Sequence, residues 1–196
     1  MNKVYTRRSR TRRRDAAATR AAILGSARAA FAQKGYDGAG VREIAAAAGV
    51  TAMMVNRYFG SKEKLFAEVV AASMATPTIL TPEILDSPSR GREMAAALIG
   101  LTRTGATPLE GFRIMLYSAS SKRAAAIGRA QIEKHHHRTM AAALRGRHAP
   151  ERAALVLSLV AGFQVMRQMI GLSALAEAEP AALIEILAPV FDQLVG

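Results

Sequence analysis

Two short helical patterns meet at Gly49, and few arrangements of a chain satisfy both. Val41, Ile44, Ala45 and Ala48 recur at i, i+3, i+4 and i+7, one face of a helix of about two turns. Gly49 follows, where a left-handed corner would strain any residue with a Cβ. Thr51 then offers a hydroxyl to cap a second short helix to about Tyr58, with Val55 and Phe59 pointing inward. Helices this short are marginal alone, so longer neighbours must brace them. Upstream, Asp15 reads as an N-cap, and Ile23, Ala27, Ala30 and Phe31 share one face until Gly35, Gly38 and Gly40 stop the pattern. Downstream, Ser61 caps a run in which Leu65, Phe66, Val69, Val70 and Ser73 repeat at helical spacing.

The rest of the chain extends the same class. Alanine is abundant, aromatics are 5% and β-branched runs are short, so propensity favours helix almost throughout, and 51% hydrophobic content can fill a core. Pro77, Pro82 and Pro88 interrupt the pattern and place a domain boundary near residue 76. Beyond it, the capping box Thr107-Pro108-Leu109-Glu110 and the prolines at 150 and 180 mark helix starts, giving helices over 90–104, 108–119, 121–146, 150–172 and 180–194. The expectation is an all-α protein of about nine helices. It comprises a flexible basic arm (1–14), a first helical domain (15–75) holding the two short helices and their corner (40–59), and a helical-bundle domain (76–196) joined through the fourth helix.

Charge separates these parts. Residues 1–75 hold 14 Lys or Arg against 5 acids, a balance of +9, whereas residues 76–196 hold 13 against 10, a balance of +3. The excess lies where a polyanion would be met. Arg10, Arg12, Arg13 and Arg14 lead into the first helix and read either as a solubilising tail or, ahead of a DNA-reading motif, as side chains that follow a DNA backbone or enter a minor groove, adding affinity more than base specificity. No cysteine is present, which excludes disulfides and thiolate metal sites and fits a reducing cytoplasm. No charge-free run of 18 apolar residues suggests a membrane partner.

Catalysis would need an activated nucleophile, paired carboxylates or a metal cluster, and none is written here. His135, His136 and His137 point about 100° apart on a helix and cannot converge on one ion, so they read as solvated surface with no metal.

Helix-turn-helix geometry requires a first helix crossing the backbone, a tight corner, and a second helix presenting side chains to the major groove. Residues 40–59 meet it. The stretch "AAFAQKGYDG", followed by "VREIAAAAGVTAMMVNRYFGSKEKLF", resembles the N-terminal domain of TetR-type transcriptional regulators over roughly residues 18–66. The segment from "RAALVLSLVAGFQ" to "FDQLV" is similar to the C-terminal region of a TetR subgroup common in high-GC bacteria, actinobacteria among them.

The resemblance implies a cytoplasmic homodimer that places two recognition helices on a palindromic DNA operator and represses until an unknown small-molecule effector releases it. Thr51, Ala52, Met53 and Met54 then open the recognition helix, and Asn56, Arg57 and Tyr58 continue it. The forked donors of Arg57 suit guanine or phosphate, and Asn56 suits adenine or phosphate. Tyr58, Lys62 and Arg42 match phosphate-contacting positions. Three residues depart from the family pattern: Gly40 replaces a Thr or Ser cap, Met53 a Gly, and Asn56 an aromatic.

In the second domain Met94, Leu98, Phe112, Met115, Leu116, Tyr117, Phe163, Met166 and Arg167 line either a cavity for an apolar inducer, where flexible thioethers accommodate varied shapes, or plain packed core, which Met and aromatic stripes at helical spacing more often mean. Arg167, a lone charge in an apolar run, either pairs with an acid such as Glu133, the favoured reading because buried charges are normally compensated within a protein, or meets an anionic ligand. By the same resemblance, the last two long helices form the dimer, with Leu155, Leu159, Gly162, Met166, Leu183, Leu187, Val190 and Leu194 at its interface.

Overall fold

The computed structural model describes the backbone of residues 3–74, 79, 81–103 and 110–196, and their side chains from Asp15 onward except Pro82. In chain order the helices are α1 (Lys3–Gly38), α2 (Val41–Ala47), α3 (Ala52–Phe59), α4 (Lys62–Ser73), α5 (Pro82–Asp86), α6 (Arg90–Leu101), α7 (Glu110–Ser118), α8 (Lys122–Ile132), α9 (Arg138–Ala143), α10 (Ala149–Gln164), α11 (Ser173–Ala176) and α12 (Pro180–Val195). π-helical turns over Glu133–His137 and Val165–Met169 follow α8 and α10. No strand occurs among the described residues. The class is all-α, with the helix-turn-helix at the N-terminal end and a helical domain after it.

Several boundaries differ from those read in the sequence. Asp15 caps nothing: α1 is already helical from Lys3, and the Asp15 carbonyl accepts the Thr19 hydroxyl at 2.8 Å. The arm expected to be flexible is thus helical backbone from Lys3 on, because arginine is a good helix former and no Gly or Pro intervenes. Pro82 starts a helix rather than breaking one. It occupies the first turn of α5, where its missing N–H is no loss, and Thr81 caps that turn through the Ile84 N–H at 3.4 Å. The helix expected over 121–146 is interrupted by the first π turn. The start of the 107–110 capping box lies outside the described residues.

Two compact units divide the chain: Met1–Ser73 with Glu110–Gln131, and Met74–Leu109 with Ile132–Gly196. The first is therefore larger than residues 15–75, because α1 packs along α7 as well as on α2 and α4. At its centre the Phe66 ring meets Phe31 and Tyr36 edge-on, each at 5.0 Å between centroids. Ile23, Ala27, Ile44, Leu65 and Ile114 close the core. The Ser118 hydroxyl, also buried, accepts the Tyr36 N–H at 2.9 Å and so satisfies a backbone donor freed where α1 bends at Gly35.

In the second unit α6 lies along α12. Met94, Leu98, Met140, Val156 and Phe191 are buried in its core. The Gly91 N–H, an orphan donor of the first turn of α6, is satisfied by Asp192 Oδ1 at 3.0 Å. Arg152 ties the end of the chain down by donating to the Gly196 carbonyl at 2.7 Å and to that of Arg145.

Candidate nucleic-acid interface

The corner between α2 and α3 is closed by local backbone bonds. The Val50 N–H donates to the Ala45 carbonyl at 2.9 Å and the Gly49 N–H to that of Ala46 at 3.1 Å, with Gly49 at φ +68°. This paired closure ends a helix with a left-handed residue and needs glycine or something close to it. Gly40 provides no side-chain cap to α2, a loss of only a few tenths of a kcal/mol relative to Ser or Thr.

At the start of α3 the Thr51 hydroxyl accepts the Met54 N–H at 3.4 Å. Thr51→Val removes that acceptor while keeping the shape. It is expected to cost about 1 kcal/mol, and so to lower the melting temperature by roughly 2–4 °C. Thermal unfolding of the full chain checks this; an unchanged midpoint would mean that water replaces the cap without loss.

The rotation of α3 is set from its inner side. Val55 and Phe59, four residues apart, are buried. The Arg20 guanidinium lies 4.8 Å from the Phe59 ring centroid and is itself held by Glu68. A surface ion pair of this kind contributes little stability, but it positions Arg20. With Val55 and Phe59 inward, Met53, Asn56 and Arg57 form the outward face at i, i+3 and i+4. All three are exposed, Met53 at 80%. Among the described residues neither Arg57 nor Asn56 has a side-chain partner.

Arg42 is exposed on α2, and the adjacent Glu43 is tied by Lys34 at 2.5 Å, so it does little to offset the positive field. Thr51 is exposed, while Ala52, Met54 and Tyr58 are half-buried. Lys62 has a packing role that its position in the sequence did not reveal: its ammonium sits 4.5 Å over the Tyr36 ring. The side chains of Arg10, Arg12, Arg13 and Arg14 lie outside the described residues.

The residues expected to line an effector pocket do not gather in one unit. Phe112, Met115, Leu116 and Tyr117 belong to the first, where they are half-buried or exposed on α7. Met94, Leu98, Phe163, Met166 and Arg167 belong to the second. Met94 and Leu98 are wholly enclosed core, and Met166 is exposed.

Arg167 does not pair with Glu133. Its Nη1 donates to the Ile99 carbonyl at 3.1 Å and to Thr102 Oγ1 at 2.9 Å. The negative end of α6 takes the part expected of a carboxylate.

The interface set also splits. Leu183 and Leu187 are buried in the core of their own unit and have no surface left for a partner. Of the same set, Val190 on α12 and Leu155 on α10 are exposed, and α12 also exposes Ile186, which the set did not contain. Leu159 and Leu194 are half-buried, and a Cβ at Gly162 would meet nothing within 4 Å. Both stripes of α12 are apolar, so spacing alone did not say which faced inward.

A capped, inwardly anchored helix with a polar outer face, preceded by a glycine corner and a short crossing helix, defines a helix-turn-helix DNA-binding protein with a second helical domain. Residues 23–69 match the family described as bacterial regulatory proteins, tetR family, and residues 88–195 match the tetracyclin repressor-like C-terminal domain. The chain belongs to the TetR family of transcriptional regulators.

None of the curated proteins matches the sequence. Among solved structures, the fold is similar to a TetR-family regulator from Streptomyces coelicolor (22% identity, 91% of this chain and 95% of that one, TM-score 0.58). It is also similar to a transcriptional regulator from Rhodococcus sp. Rha1 (22%, 89% and 95%, TM-score 0.59). A third similar structure is that of the multidrug binding protein EbrR complexed with proflavin (18%, 90% and 99%, TM-score 0.57).

Proposed function

We propose that this regulator is a repressor that binds a palindromic operator as a homodimer and leaves it when a small molecule binds the second unit. The observation that carries the reading is the outer face of α3. Met53, Asn56 and Arg57 are exposed together on a helix whose opposite side is pinned, so they can enter a groove without rearrangement. Arg57 supplies a fork for guanine, Asn56 a donor and acceptor for adenine, and Met53 an apolar surface for a thymine methyl group.

Dimerisation is supported by α10 and the π turn after it. Leu155, Met166 and Ile170 are exposed along this helix and its end, and Leu159 is only half-buried. Large apolar side chains left at the surface of one helix call for a cover, and a second copy supplies one with the symmetry that two half-sites require. Release by a small molecule is supported by the TetR-type domain and by a fold neighbour that is a multidrug binding protein complexed with proflavin. An effector acts only through unequal affinity for the DNA-competent and incompetent states.

The test is selection of genomic fragments by the purified protein near physiological salt, beside an Arg57→Ala variant. A short palindrome should be enriched by the wild type and bound more weakly by the variant, by about 1–3 kcal/mol for each guanine that Arg57 reads. Uniform enrichment unaffected by the variant would show sequence-indifferent binding and overturn the reading.

A further inference from the structure

Arg167 is 8% exposed, and it lies in the π turn Val165–Met169, a local widening of the helix that recurs at functional sites. A guanidinium has five N–H donors. The two on Nη1 are used at the end of α6, by the Ile99 carbonyl and Thr102 Oγ1. Nε–H and the two donors of Nη2 have no acceptor among the described residues.

Nor does a carboxylate neutralise the charge. All 15 acidic residues of the chain are described, and none forms an ion pair with Arg167. The neighbouring charge has the wrong sign. Burial first, and then the positive charge of Arg103, hold the Arg167 pKa below the ordinary arginine value. Capping α6 therefore accounts for one nitrogen of three. Nε and Nη2, without an acceptor among the described residues, form the side-on edge of the guanidinium, whose parallel N–H groups match the two oxygens of a carboxylate. The buried Phe163 ring lies on one side, its centroid 5.8 Å from the guanidinium carbon.

We infer that Arg167 anchors a carboxylate-binding site in the second unit, taking a small molecule that is apolar beyond its carboxylate, as the buried Phe163 and Ile99 beside it require. The inference rests on the reading of this unit as effector-responsive and supplies the chemical class of the effector.

The experiment uses the full chain labelled with 15N-arginine and follows the Arg167 Nε–H resonance, assigned by its loss in Arg167→Lys. Acetate, benzoate and octanoate are each titrated against the corresponding primary amide. At least one carboxylate should shift the resonance saturably, with its amide needing tenfold or higher concentration. No shift from any carboxylate, or equal shifts from acid and amide, would overturn the inference and leave Arg167 as a helix cap whose remaining donors are hydrated. Operator release is measured separately. Selective carboxylate binding without release would sustain the site and sink effector control through it. Release by a neutral compound, unchanged in Arg167→Lys and with no carboxylate shift, would do the reverse.

Discussion

Gly35→Ala is expected to destabilise the first unit by about 2–6 kcal/mol, a very large effect for one added methyl group. Gly35 sits at φ +66°, ψ −176°, a region that residues with a Cβ scarcely enter, at a cost of about 1–3 kcal/mol. The new Cβ would also lie 2.3 Å from the Tyr117 carbonyl oxygen and 2.8 Å from its carbon. Those are backbone atoms of α7, so relief requires α1 and α7 to move apart, with an overpacking cost of about 1–3 kcal/mol more.

Gly49→Ala is the internal control. Its φ is +68°, but nothing lies within 4 Å of the added carbon, so only the conformational cost of about 1 kcal/mol applies. Urea unfolding of both variants separates the two contributions. Equal losses would mean that α1 and α7 do not approach as closely as the geometry states. In Gly35→Ala, DNA binding should fall with stability, since α1 carries the Arg20 that pins α3.

The second large effect is expected from Leu155→Glu combined with Ile186→Glu. These side chains are 55% and 65% exposed, so the change leaves the core of the chain intact. In a homodimer formed through α10 and α12 it would replace two buried apolar groups, each contributing about 1.5–3 kcal/mol, with charges that must be desolvated. The dimer dissociation constant should rise at least about 100-fold, and operator affinity should drop because the half-sites are no longer linked. Sedimentation equilibrium reads the first quantity and operator titration the second. A dimer that persists unchanged would place the interface elsewhere. Leu183→Glu offers a contrast: with Leu183 buried in its own unit, that variant should unfold rather than dissociate.

The reading head was legible in the amino-acid sequence because it is built from interactions within a few residues. The Gly49 corner closes through bonds to Ala45 and Ala46, Thr51 caps a turn three residues on, and the interval from Val55 to Phe59 fixes which side of α3 turns inward. Helical periodicity and capping encode such features directly. Features that join distant segments were not legible.

That α7 and α8 belong with α1 depends on a glycine meeting the Tyr117 backbone and on Ser118 accepting an N–H from Tyr36, 82 residues away. α12 carries two apolar stripes, and only packing against α6 selected Leu183 and Leu187 for the core while leaving Ile186 and Val190 at the surface. Arg167 was expected to find a carboxylate and instead found the end of α6, because a folded chain brings backbone dipoles as well as charges to a buried cation. Sequence thus determined the local geometry, through bonds spanning three to five residues. Tertiary structure alone decided which surfaces met, because that choice depends on the shape and polarity of partners far along the chain.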